Sequence, residues 1–99
     1  MKMSKWSTPY YAVIFTSILW ENIEGYDEEA EQMLRLVHQQ PGFLGVDSAR
    51  DKIGITVSYW SSLEAIDNWR KNLDHQSAKN QGKTKWYYSY NLKICKVIL

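Results

Sequence analysis

The fold of this chain is decided by residues 43–73, FLGVDSARDKIGITVSYWSSLEAIDNWRKNL. Two runs in this stretch, 43–50 and 53–60, are predicted to form strands, and the second is rich in the β-branched and aromatic residues that favour extended backbone. They meet at the polar segment Arg50-Asp51-Lys52. We therefore expect a β-hairpin.

A helix is predicted directly after the hairpin. Ser61 and Glu64 have the spacing of a capping box, in which each side chain bonds a free backbone N–H of the first helical turn. Gly82 marks the latest expected end of this helix. Its apolar stripe consists of Leu63, Ile66, Trp69 and Leu73.

Upstream of the hairpin, residues 10–20 (YYAVIFTSILW) predict a first strand that is apolar on both faces. One face carries Tyr11, Val13, Phe15 and Leu19, and the other carries Ala12, Ile14, Ile18 and Trp20. The helical spacing of Tyr26, Ala30, Met33, Leu34 and Val37 predicts a helix over residues 26–40. Acidic residues at 27–31 suit its start, and Pro41-Gly42 ends it.

Downstream of the hairpin and its helix, the alternation in WYYSYNLKICKVIL, residues 86–99, predicts a last strand. The order strand, helix, strand, strand, helix, strand is that of the ferredoxin-like α+β fold, βαββαβ. This fold has a four-stranded antiparallel sheet with two helices on one face. Because two helices cover only one face, the second apolar face of the first strand needs a partner, and we expect a homodimer that packs sheet against sheet.

Length and composition indicate one soluble domain. The chain has 99 residues and a net charge of +1, and we expect a flexible segment over 1–9 followed by a single domain over 10–99. No secretory signal or membrane-spanning run is visible. The one cysteine, Cys95, fits a reducing cytoplasm. The balanced charge argues against nucleic-acid and membrane partners.

Candidate site residues are concentrated in the second half of the chain. His38 and His75 lack a second ligand at helical spacing, so no metal site is expected. The aromatic residues allow two interpretations: a core built from large rings, or the wall of a small-ligand pocket between the second helix and the sheet. The candidate substrate-binding residues are Tyr59, Trp60, Trp86 and Tyr88. Trp69 and His75 are the candidate catalytic residues.

Three stretches of the chain resemble the antibiotic biosynthesis monooxygenase (ABM) domain family, in its branch of small stand-alone bacterial proteins. They are PGFLGVDSARD (41–51), GITVSYWSSLEAIDNWRKNLDHQSAKNQGK (54–83) and WYYSYNLKI (86–94). The resemblance implies a dimeric α/β barrel, in agreement with the two-faced first strand. It also implies oxidation of small aromatic or quinone-like molecules without a cofactor, in a pocket that stabilises the substrate anion and excludes water.

The resemblance extends to individual positions of the second helix. Trp69 matches the tryptophan that lines the pocket of family members. Haem-degrading members place an axial histidine ten residues after it; here that residue is Lys79, so no haem is expected. His75 can relay a substrate proton near neutral pH, or it is a surface histidine beside Asp74. Two functions stay open: a cofactor-independent monooxygenase, and a non-catalytic ligand-binding or stress-response protein with the same pocket.

Overall fold

The computed structural model describes residues 6–80 and 86–99, and for residues 74–80 it describes the backbone alone. The elements are β1 Tyr10–Leu19, α1 Tyr26–His38, β2 Phe43–Arg50, β3 Gly54–Trp60, α2 Leu63–Asn80 and β4 Tyr87–Val97. This order confirms the predicted βαββαβ fold. The element boundaries lie within two residues of the predicted ones wherever the sequence pattern set a definite limit.

The four strands form one antiparallel sheet in the order β2-β3-β1-β4. β1 therefore lies inside the sheet, where it pairs with β3 from Tyr11↔Trp60 to Ser17↔Gly54. Its pairing with β4 shifts register after Ile18, which leaves one residue of β4 outside the ladder. Because both edges of β1 are paired, its side chains are flanked by neighbours on each side, which suits its high apolar content.

The hydrophobic core lies between the helices and the sheet face that they cover, called the helix-side face below. Val37 of α1 and Ala65 and Ile66 of α2 pack on Trp60 of β3, whose side chain is 0% exposed. Around them lie the half-buried side chains of Tyr11, Val13, Phe43 and Trp69. Since side chains alternate along a strand, Phe15 and Ser17 share this face with Tyr11 and Val13.

The apolar stripes of both helices differ from those expected, since Ala30 and Leu34 of α1 and Leu63 of α2 are exposed. Leu34 is 45% exposed and Leu63 is 54% exposed, so neither belongs to the buried stripe. In α1 the predicted member Val37 is buried against the sheet, and in α2 the buried residues are Ala65, which was not expected, and Ile66, which was. Periodicity alone fixes the direction of an apolar stripe only to within about one residue.

The cap of α2 also differs from the one expected. Ser62, and not Ser61, supplies the capping hydroxyl, which accepts a hydrogen bond from the Ala65 N–H at 3.1 Å. The N–H of Ser61 instead donates to the Gly42 carbonyl at 2.8 Å. The predicted capping box was therefore one residue out of register, because two serines in succession offer two possible starts.

The opposite side of the sheet, called the open face below, is covered at one end by Trp6. Its ring lies 5.4 Å from that of Tyr10 and 5.1 Å from that of Tyr59 between centroids. Trp6 belongs to the segment 1–9 for which flexibility was expected, and residues 1–5 of that segment lie outside the described residues. Among the helices that the structure describes, none is long and apolar enough to cross a membrane.

Candidate functional site

The first predicted site residue, Trp69, lies in the middle of α2 and faces the sheet. Its ring stacks on that of Trp60 at a centroid distance of 6.2 Å and an interplanar angle of 28°. Trp60 is wholly buried, and its indole N–H donates to Ser58 Oγ at 2.9 Å. Trp69 is only half-buried. Of these two rings, therefore, Trp69 presents the surface that a ligand can reach, and Trp60 supports it from behind.

Tyr59 lies across the sheet from these two tryptophans. It pairs with Ala12, whereas Trp60 pairs with Tyr11, so alternation sends Tyr59 to the open face. There its hydroxyl donates to Asp47 Oδ2 at 2.9 Å. Burial raises the pKa of Tyr59, and the neighbouring Asp47 carboxylate raises it further. Tyr59 and Trp69 therefore do not meet in one pocket of one chain.

Trp86 and Tyr88 flank the start of β4 and have different surroundings. Trp86 is buried, and its indole N–H donates to the Glu24 carbonyl at 3.2 Å, which ties β4 to the loop before α1. Tyr88 is 60% exposed and stacks on Trp20 at 4.9 Å. The candidate substrate-binding residues thus occupy separate places, and their roles stay predictions.

His75 lies within α2, and its side chain is outside the described residues. The same holds for Lys79, the residue at the position of the expected haem ligand. At 1.5 Å rise per residue, the helix axis carries His75 about 9 Å beyond Trp69. The predicted catalytic role of His75 and the expected absence of haem stay predictions.

A second group of polar and aromatic side chains lies on the helix-side face, at the other end of the sheet from Trp60. Its centre is Arg50, the last residue of β2. Arg50 Nη2 donates to Ser17 Oγ at 2.5 Å, and Nη1 donates to the Ser17 carbonyl at 3.4 Å. Between these two residues lies Gly54 of β3, which pairs with both. A side chain at Gly54 would overlap the guanidinium group, so the absence of one lets Arg50 cross the sheet.

One aromatic ring lies beside this guanidinium group, and further rings pack next to that one. The Arg50 Cζ atom lies 5.9 Å from the ring centroid of Tyr26, the first residue of α1. Tyr87 lies 6.1 Å from Tyr26 and 5.3 Å from Phe15 between centroids. Tyr90 lies 5.8 Å from Phe15. We call this group the Arg50 cluster; its members are Phe15, Ser17, Tyr26, Arg50, Tyr87 and Tyr90.

The electrostatics of the Arg50 cluster keep the Tyr87 hydroxyl protonated. Burial raises the pKa of Tyr87, and the neighbouring Tyr26 hydroxyl raises it further. Arg50 lowers this pKa and Glu29 raises it, both by smaller amounts. Tyr87 is therefore a neutral phenol at physiological pH, and its O–H is a hydrogen-bond donor.

The Arg50 cluster has no continuous sequence pattern, because its members come from the four elements β1, α1, β2 and β4. Arg50 was predicted as the last residue of its strand, where it meets the turn, and the structure places it there, but no contact of its side chain was predicted. One sequence signal could have indicated the cluster. A glycine inside a strand often marks a close approach by another group, and Gly54 stands four residues after an arginine across a predicted turn.

Two further kinds of site were sought among the described residues: clusters of metal ligands and surface hollows. Among the residues that the structure describes, no three His, Cys, Asp or Glu side chains come together as a metal site. A hollow of about 230 Å³ lies on the exposed side of α1, lined by Glu28, Glu31, Gln32 and Arg35. It contains none of the predicted site residues, and the predicted pocket beside α2 stays a prediction.

Known proteins with similar sequences and folds are consistent with this architecture. Over 91 residues the chain is 55% identical to the uncharacterized protein YqjZ of Bacillus subtilis (strain 168), covering 90% of this chain and 80% of YqjZ. SnoaB, a cofactor-independent oxygenase from Streptomyces nogalater, has a similar fold. The TM-score is 0.65 at 10% identity, and the match covers 93% of this chain and 94% of SnoaB.

A further solved structure with this fold is a mutant form of MhuD with two manganese protoporphyrin IX bound per active site. Its TM-score is 0.65 at 21% identity, over 90% of this chain and 95% of MhuD. The family model for antibiotic biosynthesis monooxygenase matches residues 9–81, a range that includes β1, Arg50 and Trp69. The resemblance seen in the sequence is thus confirmed, and the chain belongs to the antibiotic biosynthesis monooxygenase family.

Proposed function

We propose that this protein is a cofactor-independent monooxygenase that acts on a small, electron-rich aromatic or quinone-like molecule. The observation that carries the proposal is the family match over residues 9–81, which includes the half-buried Trp69 on the helix-side face. The fold shared with SnoaB, a cofactor-independent oxygenase, is consistent with it.

The proposed pocket lies between α2 and the sheet. Trp69 forms its wall and excludes water from the reacting ring, and the buried Trp60 holds Trp69 in place. His75, farther along the same helix, accepts the proton that the substrate loses before it reacts with oxygen. A dry, apolar wall favours this chemistry because it strengthens each electrostatic contact to the substrate anion.

Without a cofactor, the substrate itself must supply all the electrons that reduce dioxygen. An anthrone-type ring meets this requirement. Its CH₂ group reacts with O₂ to give a ring carbonyl and one molecule of water. One oxygen atom enters the product and the other leaves in water. The carbon loses four electrons, and dioxygen gains the same four, so no external reductant is needed.

The test is oxygen uptake with 1,8-dihydroxyanthrone, corrected for its oxidation in the absence of protein. We expect one O₂ consumed per carbonyl formed, with one ¹⁸O atom from ¹⁸O₂ in the product. Trp69→Phe and His75→Ala should each lower the rate at unchanged fold. The matched controls are Trp20→Phe and His38→Ala, at exposed positions of the same residue types, which should keep the rate.

Two other results would contradict the monooxygenase proposal. A ligand that raises the unfolding temperature without oxygen uptake would indicate a non-catalytic ligand-binding protein, the second function that the sequence left open. If oxygen is consumed at the same rate with the wild-type protein, with the four variants and without protein, the protein does not catalyse the reaction.

We also propose that the protein is a homodimer, in which the open faces of two sheets pack together. The support is that Ile18 and Ile55 on this face are exposed in the single chain, and exposed apolar area favours association. Light scattering at micromolar concentration should give twice the chain mass. Ile14→Asp, on the same face, should then give monomer or unfolded chain, whereas Leu34→Asp on α1 should leave the mass unchanged. A wild-type monomer would contradict the proposal.

A further inference from the structure

Arg50 differs from the other arginines whose side chains are described. Arg35 pairs with Glu31, and Arg70 pairs with Asp67, each at 2.7 Å on the surface of its own helix. Arg50 takes part in none of the ion pairs formed by the described side chains. Its charge is instead directed to the neutral oxygen atoms of Ser17. An arginine held in this way still has its full charge available to an anion.

The guanidinium group of Arg50 also has donors to spare. Arginine has five N–H groups in a fixed fork, and the two contacts with Ser17 engage one N–H each of Nη1 and Nη2. The other N–H groups donate no hydrogen bond to the side chains that the structure describes. Arg50 is exposed as a residue, and its hydrogen bonds to Ser17 are only partly buried. A planar fork of this kind suits a carboxylate or another oxyanion.

The position of the guanidinium group is fixed before any ligand arrives. Ser17 is 2% exposed and cannot move without disturbing β1. Gly54 provides the space in which the Arg50 side chain crosses β3. The Tyr26 ring lies beside the charge at 5.9 Å, within cation–π distance. A donor that is already held in place binds an anion more tightly, because less conformational entropy is lost on binding.

The rings of the Arg50 cluster supply a surface for a flat aromatic group. Phe15 and Tyr90 are tilted by only 33° at 5.8 Å, and Tyr90 is exposed. Tyr87 packs beside Phe15 and Tyr26 and extends this aromatic surface. Glu29, half-buried at the start of α1, contributes a negative charge close enough to Tyr87 to affect it. Glu29 therefore opposes the binding of a second anion, which provides a test.

We propose that the Arg50 cluster binds the ionised oxygen of a planar aromatic ligand, with Arg50 and Ser17 fixing the oxyanion and the neighbouring rings contacting the aromatic plane. The ligand class is an aromatic carboxylate, phenolate or enolate. As a statement about the substrate, this inference rests on the proposed function, because it assigns the substrate's anionic oxygen to this end of the sheet. As a statement about binding, it stands alone.

The test compares two probes of nearly equal shape, 2-naphthoate and 2-naphthamide, by isothermal titration calorimetry on the full chain. The first carries a carboxylate, and the second a neutral amide. We expect the wild-type protein to bind naphthoate about tenfold more tightly, since hydrogen bonds to a charged group are stronger than neutral ones. Added salt should reduce this preference. Equal affinities in the wild-type protein would overturn the proposal.

Variants then show which residues cause the preference for naphthoate over naphthamide. Arg50→Gln should abolish it while leaving the affinity for naphthamide unchanged, and Arg50→Lys should keep only part of it. Glu29→Gln should increase it. The matched control is Arg35→Gln, which removes an arginine that is paired on the exposed side of α1. If Arg50→Gln weakens both probes equally, Arg50 has a structural role only, and the proposal is wrong.

Thermal unfolding of each variant identifies any that do not fold. If Arg50→Gln does not fold, Arg50→Lys and Glu29→Gln decide the matter, since neither removes the positive charge. An unchanged preference in both would overturn the proposal. Oxygen uptake with the anthrone is measured separately. A naphthoate preference without oxygen uptake would support this site and contradict the proposed function, and the reverse result would contradict this site alone.

Discussion

Two rows of residues cross the helix-side face at opposite ends of the same sheet, and they differ in almost every property. One row runs Phe43, Trp60, Tyr11 across β2, β3 and β1, and the other runs Arg50, Gly54, Ser17 across the same strands. They are six residues apart along β1, about 20 Å in an extended strand. The first row is large and apolar, and helices pack on it. The second is small or charged.

The difference separates stability from recognition within one sheet. Trp60 and Ser17 are both almost fully buried, at 0% and 2% exposure. Burial of Trp60 removes a large apolar surface from water, which stabilises the fold. Burial of Ser17 removes little apolar surface, and its hydroxyl holds the Arg50 guanidinium instead. Substitutions in the first row should therefore change stability, and those in the second should change binding.

The largest expected effect is that of Trp60→Ala in the apolar row. Removing a fully buried tryptophan should lower the free energy of unfolding by about 3–5 kcal/mol, measured by urea denaturation. The matched control is Trp20→Ala, because Trp20 is half-exposed and stacks on Tyr88. It should cost about 1 kcal/mol. Similar losses in the two variants would contradict the assignment of the core to the Trp60 end.

Glycine-to-alanine substitutions compare the two rows more closely. Gly42, beside the apolar row, has φ +83°, and an added Cβ would lie 2.6 Å from Ala65 Cβ. Gly42→Ala should cost about 2–4 kcal/mol of unfolding free energy, from backbone strain and crowding. Gly25→Ala, with a similar φ of +86° and open space around it, isolates the strain and should cost about 1–2 kcal/mol.

Gly54→Ala is the counterpart in the charged row. The atoms nearest to its added Cβ would be those at the end of the flexible Arg50 side chain, which can move aside. Unfolding free energy should therefore change by no more than about 1 kcal/mol. The preference for naphthoate over naphthamide should nevertheless disappear, because Arg50 can no longer reach Ser17. A strongly destabilised Gly54→Ala that keeps the preference would reverse the proposed separation.

The smallest expected effect is on the pH dependence of stability. The pKa of Tyr87 is raised in the folded chain above its unfolded value of about 10. The folded chain thus holds the phenolic proton more tightly, and the resulting stability is fully present below pH 10 and is lost as the pH rises above it. Urea denaturation at pH 8 and pH 10.5 should show a smaller loss for Tyr87→Phe than for the wild-type protein.

The control for this pH dependence is Tyr88→Phe, which removes a hydroxyl from the exposed neighbour of Tyr87. It should lose as much stability between the two pH values as the wild-type protein. If both variants behave alike, the alkaline loss of stability does not come from Tyr87.

The sequence was sufficient for the fold because each element is encoded locally. The two-faced β1, the hairpin and the Pro41-Gly42 stop each follow from patterns within about ten residues. Predictions of features that depend on packing, such as helix caps and apolar stripes, were less accurate. The capping serine was displaced by one residue, and Leu34 and Leu63 turned out exposed, because tertiary contacts set the rotation of a helix.

The candidate site was less predictable because it depends on contacts between distant residues. Adjacent residues of a strand point to opposite faces of the sheet, so Tyr59 and Trp60 could have been separated from the sequence alone. The prediction that both line one pocket ignored this alternation. The Arg50 cluster could not be derived from the sequence in the same way. It needs the register of β3 on both β1 and β2, which brings Ser17 and Arg50 to either side of Gly54.

The first strand to be synthesised, β1, lies between β3 and β4 in the sheet, so the sheet cannot be completed until the last strand has left the ribosome. The β2–β3 hairpin and α2 follow one another directly, and such local contacts form early. The Trp60–Trp69 stack needs only these elements. Tyr87 and Tyr90 arrive with β4, so pulsed hydrogen exchange should find β3 protected before β4. A chain truncated before β4 can therefore begin to bury its tryptophans, whereas the Arg50 cluster is completed only once β4 has brought Tyr87 and Tyr90 to the sheet.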